Sequence, residues 1–202
     1  MKNSYLRAGV AALACVVGLA ACGGGSSGQL LLGGTILGVT KDGLILQNNG
    51  SHDYAPTAAA LASSGGQFYF PDLVDIDQSY DVTVKAVPSN VTTCDVSGGK
   101  GRSAFNVSSV LVVCHLKTHA LKGTIVGLGN NTGLEVVNGA DRKKIDAGAT
   151  SFEMSPVGED VPYGITILPP QPSGLTCTVT NGTGKMGTAD VTNVVVNCST
   201  QP

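Results

Sequence analysis

The sequence predicts an all-β protein made of two tandem small β-sandwiches. Three observations carry the prediction: the second half repeats the first, its strands alternate with period two, and tight-turn residues separate them. Gly34-Thr35-Ile36-Leu37-Gly38-Val39 returns as Gly123-Thr124-Ile125-Val126-Gly127-Leu128. The match then continues in order: Gly43-Leu44 with Gly133-Leu134, Phe68 with Phe152, and Tyr80-Asp81-Val82-Thr83-Val84 with Tyr163-Gly164-Ile165-Thr166-Ile167. Pro88-Ser89 answers Pro172-Ser173, Cys94 answers Cys177, and 110–114 answers 194–198. An ordered self-match of this length marks two copies of one structural unit.

Taken in order, residues 1–21 read as a secretory signal. Lys2 and Arg7 form a positive start, 8–21 is apolar, and small residues precede the cut. The run is shorter than the roughly 20 residues a membrane-spanning helix needs. Residues 22–28, Cys-Gly-Gly-Gly-Ser-Ser-Gly, form a flexible tether. The first β-module is expected over 29–116 and the second over 117–202. Within each, the strand beginning at Tyr80 or Tyr163 alternates imperfectly and is rich in β-branched residues. Val110, Val112 and Cys114 share one face of the last strand, as do Val194, Val196 and Cys198. Asn48-Asn49-Gly50, Gly98-Gly99 and Asn181-Gly182 supply residues that tolerate positive φ in turns. No stretch after the signal keeps a helical period for three turns. The copies differ at 88–94 and at 55–66, where the first carries a longer insert and where a private binding loop is expected.

Composition narrows the function classes. Charged residues are 13% of the chain against a usual value near 25%. Losing Lys2 and Arg7 takes the basic residues from 12 to 10 against 14 acidic ones, a net charge of −4. That balance gives no basic face for nucleic acid. Arg142-Lys143-Lys144, the one basic run, reads as a solvated turn.

Leu19-Ala20-Ala21-Cys22, followed by glycines, resembles the lipobox of bacterial lipoproteins. The resemblance implies that Cys22 is the first mature residue and carries a diacylglyceryl group plus an N-acyl chain such as palmitate. It also implies attachment to the cell envelope, with Gly23 rather than Asp after the cysteine pointing to the outer membrane. The Gly-Thr-Ile-x-Gly opening, the Phe-x-Phe or Phe-x-Met segment and the Tyr-x-Val-Thr-Val strand look like immunoglobulin-like or transthyretin-like modules of bacterial surface proteins. Residues 43–50 and 171–182 resemble a repeat common in bacterial lipoproteins and cell-surface proteins, for which no activity is assigned.

Of six cysteines, Cys15 leaves with the signal and Cys22 is the lipid carrier, so four remain. Four cysteines allow three connectivities, which sequence alone does not separate. The repeat does: pairing Cys94 with Cys114 and Cys177 with Cys198 keeps the units equivalent. An exported chain meets an oxidising compartment, where such pairs bridge. Zinc is the rival reading, but its cysteines come as close pairs such as C-x2-C, and none occur.

Candidates for chemistry are sparse. His115 and His119 lie four apart on a predicted strand or linker, which holds them about 13 Å apart at roughly 3.3 Å per residue. His52-Asp53 follows the Asn-Gly turn and has no counterpart in the second copy. Asp75, Asp77 and Ser79 spell the start of a calcium loop, but Tyr80 stands where its glycine belongs and Ala86 where its glutamate belongs. Ser97-Gly98-Gly99-Lys100 matches the S-x-x-K spelling, with two glycines that mark a turn instead. No nucleophile with its base can be assembled, so no catalytic residue, metal ligand or cofactor is expected.

The expected function is a non-enzymatic, lipid-anchored envelope protein. It meets the membrane through lipid on Cys22 and an envelope protein through its loops. A surface lipoprotein binding glycans or small solutes is the alternative, opposed by the absence of Trp and the scarcity of Tyr. Specific binding is expected in the first module, which alone has His52, Asp53, the 55–66 insert and the Asp75/Asp77 pair.

Overall fold

The computed structural model describes residues 28–201. The first half contains β1 (Gln29–Leu30), β2 (Leu32–Leu37), β3 (Ile45–Asn48), β4 (Ser51–Tyr54), α1 (Ala58–Ser63), β5 (Gln67–Tyr69), β6 (Val74–Asp75), β7 (Ser79–Ala86), β8 (Val91–Ser97), β9 (Lys100–Arg102) and β10 (Val107–Leu116). The second contains β11 (Thr118–Val126), β12 (Glu135–Asn138), β13 (Asp141–Lys144), β14 (Ser151–Gly158), β15 (Pro162–Ile167), β16 (Leu175–Thr180), β17 (Thr183–Lys185) and β18 (Val191–Thr200). The chain is all-β, as the sequence predicts.

Each half is a sandwich of two four-stranded sheets, and the strand orders correspond. Order β5-β2-β10-β8 matches β14-β11-β18-β16, and β4-β3-β7-β9 matches β13-β12-β15-β17. The outer pairs are antiparallel, but β2 runs parallel to β10 and β11 parallel to β18. The short β1–β6 pair of the first half corresponds to the entry end of β11–β14: Gln29 faces Asp75 as Thr118 faces Gly158. Each sandwich closes on its own core, around Leu32, Leu46, Phe68 and Val112 in one and Leu121, Val136, Ile165 and Val196 in the other. The predicted inward faces hold, since Val110, Val112, Cys114, Val194, Val196 and Cys198 are all buried.

The repeated Gly-Thr-Ile-x-Gly motif now has a physical cause. A Cβ on Gly34 would sit 1.8 Å from the Val110 carbonyl oxygen, and one on Gly123 would meet the Phe152 ring and the Val194 carbonyl. Gly38 and Gly127 adopt φ of +79° and +80°, with the carbonyl oxygens of Cys114 and Cys198 at 2.0 and 1.9 Å from a built Cβ. The first glycine admits the parallel strand, and the second turns the chain away over it.

The disulfides join Cys94 to Cys114 and Cys177 to Cys198. Each lies within one sheet, because Cys94 faces Cys114 across β8–β10 and Cys177 faces Cys198 across β16–β18. They staple an outer strand to the central strand beside it.

Two local expectations need correction. Arg142, Lys143 and Lys144 lie on the outer strand β13 rather than in a turn. Cationic side chains there fit an exposed edge, where they discourage pairing with another chain. The 55–66 insert is not an open loop, for it contains α1, capped by Thr57 and fixed by buried Leu61. Leu61 belongs to the first core, so the insert packs against the sandwich.

Lys117 alone separates β10 from β11. Its N–H donates to the Asn90 carbonyl at 2.9 Å, its carbonyl accepts from the Glu159 N–H at 2.8 Å, and its ammonium donates to the Ser89 carbonyl at 2.7 Å. Asn90 is fully buried, and its Nδ2 donates to Thr40 Oγ1 at 2.8 Å and across the junction to Asp160 Oδ2 at 3.1 Å. Lys185 holds the other Asp160 oxygen at 2.9 Å. That hydrogen bond, aided by the charges of Lys185 and Lys41 and by Asn90, lowers the Asp160 pKa below the ordinary carboxylate value against the opposing effect of burial. Leu116 fills the space over Gly158. One linking residue, hydrogen-bonded from both sides, thus joins the two sandwiches.

Candidate functional site

The residues peculiar to the first half converge only in part. At the β3–β4 hairpin, Asn49 and Gly50 both take positive φ, the requirement of a tight two-residue turn. The register then slips between the Leu46 and Asn48 pairs, and His52 adopts φ +55°. Such a bulge re-aims a side chain. The equivalent β12–β13 hairpin keeps regular register.

His52 Nδ1 thereby meets Asp72 Oδ2 at 3.0 Å, twenty residues away in sequence. The two flank a concavity of about 210 Å³ with Asn48, Asn49, Phe70, Leu73, Val74, Asp75 and Gln78. Its apolar floor follows from the packing beneath, where the Phe70 ring lies 5.6 Å from Tyr54 and 6.0 Å from Phe68. Asn48 is part of the frame, since its Oδ1 accepts from the Asp81 N–H as Asn138 accepts from Gly164 in the second sandwich.

Charge gives the concavity its sign. Residues 28–116 hold seven Asp and no Glu against Lys41, Lys85, Lys100 and Arg102. Asp53 is tied to Lys85 Nζ at 2.6 Å and Gln47 Nε2 at 2.7 Å, and these hydrogen bonds lower its pKa from the ordinary carboxylate value. Asp77 pairs with Arg102 at 2.8 Å and Asp81 with Lys100 at 3.0 Å. Among the described residues Asp75 has no ion-pair partner, and it lies on this rim. The surface presents carboxylates, an imidazole and amides above an apolar floor. No hydroxyl or thiol lines it, so the His52–Asp72 pair has no protein nucleophile to activate.

The other sequence candidates disperse. His115 Nε2 bonds Asp95 at 2.9 Å within the first sandwich, whereas His119 Nε2 bonds Glu159 at 2.9 Å within the second. Asp77 turns to Arg102 while Asp75 shares the concavity's rim with Asp72, and no group of three metal-ligating side chains occurs among the described residues. Ser97-Gly98-Gly99-Lys100 is the β8–β9 turn, with Gly98 at φ +67°. A wider groove of about 550 Å³ beside that turn is lined by Val82, Val84, Cys94 and Val96. Ile165 and Ile167 stand at the counterparts of Val82 and Val84 in the second copy. Cys22 lies outside the described residues, and no helix among those described is long and apolar enough to cross a membrane.

Sequence reasoning missed Asp72, Phe70 and Gln78 in the concavity and Asn90 and Asp160 at the junction. Phe70 left a trace as the end of the Phe-x-Phe segment, and Asn90 as the residue replaced by Gly174 in the otherwise matching Pro-Ser turn.

No family profile matches the chain, and no curated protein does. Among solved structures, the Bacillus anthracis TIE protein is 16% identical with a TM-score of 0.38, over 85% of this chain and 34% of that one. Two B repeat units of the collagen-binding protein of Staphylococcus aureus are 13% identical with a TM-score of 0.31, over 86% and 50%. The major pilin protein T-13 of Streptococcus pyogenes is 11% identical with a TM-score of 0.27, over 86% and 97%. The chain thus spans about a third and a half of the first two.

Proposed function

We propose that this chain is a lipid-anchored protein of the bacterial cell envelope, attached through Cys22 in the outer membrane. Two disulfide-stapled β-sandwiches, 29–116 and 117–202, act as one non-enzymatic interaction module. The junction at Lys117 carries the reading, because a one-residue link clasped by Asn90 and Asp160 suits a rigid presenter. The partner surface is the His52–Asp72 concavity. At about 210 Å³ it is smaller than the roughly 300–1,000 Å³ of enclosed small-molecule sites. It suits a protruding side chain of an envelope protein, with the carboxylates favouring a basic one.

Flotation and capture test the two parts. Cys22→Ala should lose both the lipid mass and co-flotation with membranes, and wild-type flotation by that variant would reject the anchor. Residues 23–202, which contain every described element, should capture an envelope protein that an Asp72→Ala, Asp75→Ala variant captures at least several-fold less. Undiminished capture, or saturable sugar binding in its place, would reject the concavity as the contact.

A further inference from the structure

We infer that the tethered end of the first sandwich is a membrane-contacting surface whose apolar side chains enter the bilayer interface beside the anchor; the inference rests on the proposed lipidation of Cys22. The internal repeat makes this end conspicuous. In the second sandwich, the end that receives the chain is covered: Leu116 packs over Gly158, and Asn90 bonds Asp160. The same backbone contacts recur one module earlier, where the Ile76 N–H donates to the Gly28 carbonyl as the Glu159 N–H does to Lys117, and the Asp77 N–H donates to Ser103 as the Asp160 N–H does to Met186. No described residue covers this first copy of the surface.

Its chemistry has also changed. Ile76 stands where the second copy has Glu159, and Leu30 where it has His119, replacing a part-buried hydrogen-bonded polar pair with hydrocarbon. Ile76 is 56% exposed and Leu31 39%, and Phe105 at 80% is the most exposed large apolar side chain described. They form one neighbourhood. Gly28 lies against Ile76, the Asn106 side chain accepts from the Leu31 N–H, and the Ser103 hydroxyl donates to the Asp75 and Gln78 carbonyls. Clustered exposed hydrocarbon of this kind marks a contact surface.

The bilayer is the occupant that chain length selects. Six tether residues, 23–28, separate Cys22 from β1 and span about 13 Å by the flexible-chain rule. An acyl-anchored chain therefore holds this end at the headgroups, where side chains such as Phe and Ile partition readily. A second copy docked head to tail fits less well. Its free end offers Gly174 in place of Asn90, so the amide half of the polar clasp is missing, although Asp77 keeps the place of Asp160. The ionic groups nearby are Asp75, the Asp77–Arg102 pair and the Asp72–His52 pair. None favours anionic headgroups, so contact should be strongest on zwitterionic lipid.

The chain has no Trp, so a single introduced indole reports its own surroundings. Full-length lipidated protein carrying Phe105→Trp would be reconstituted in phosphatidylcholine vesicles, with Val126→Trp, on the far end of the second sandwich, as control. Phe105→Trp should emit to the blue and be quenched by acyl-brominated lipid several-fold more than the control. Equal, weak quenching in protein that co-floats overturns the inference and leaves the anchor intact. A concentration-dependent blue shift in detergent without vesicles assigns the surface to a second copy and also overturns it. Failure to float, with no lipid mass on Cys22, removes anchor and inference together.

Discussion

At the scale of residues, the glycines of the repeated motif are under the tightest constraint. Gly38→Ala and Gly127→Ala each combine a left-handed backbone with a Cβ about 2 Å from a carbonyl oxygen. The conformation alone costs about 1–2 kcal/mol, and the overlap adds to it. Each should destabilise its own sandwich by at least ~2 kcal/mol. Gly50→Ala, with φ +71° and open space, should cost only the conformational part. Urea unfolding followed by amide exchange in each sandwich checks the ranking, and equal losses at Gly38 and Gly50 would refute the steric argument. A second set of residues predicts the acid limb. Asp53 and Asp160 have lowered folded-state pKa values, from the hydrogen bonds of Lys85 and Gln47 and of Lys185 respectively. Their contribution is therefore complete above the unfolded value near 3.9 and is lost as pH falls through the lower folded values. An Asp53→Asn, Asp160→Asn variant should be less stable than wild type at neutral pH and converge with it in strong acid. A gap that persists unchanged in denaturation curves at acid pH would contradict the ion-pair assignment.

At the scale of elements, the disulfides close loops of 20 and 21 residues between strands that already pair. Chain entropy assigns such a loop about 3 kcal/mol. Reduction should lower the melting temperature of both sandwiches, while a Cys94→Ala, Cys114→Ala variant should lower only that of the first. Calorimetry separates the cases, and a first sandwich indifferent to the double substitution would show that strand pairing alone suffices. What the sequence disclosed at this scale was whatever is repeated or local: paired cysteines, period-two strands, the Asn-Gly turn and the two motif glycines. The parallel pairing of β2 with β10 was hidden, since its partners lie some seventy-five residues apart. The helix α1 was hidden too, because six residues are too few for a helical period and Leu61 is its only buried residue. His52 and Asp72 are individually unremarkable in sequence, and only the bulge in β4 brings them together.

At the scale of the whole molecule, function rests on whether two sandwiches behave as one body. Asn90 is central to that, and Asn90→Ala removes two part-buried hydrogen bonds together with an Oδ1 that has no protein partner. The expected loss is about 1 kcal/mol, small for folding but decisive for orientation. Residual dipolar couplings from both sandwiches, measured on residues 23–202, test the account most directly. One alignment tensor should fit both in the wild type, and Asn90→Ala should require two. Separate tensors in the wild-type protein would mean that the junction is a hinge, contradicting the rigid presenter.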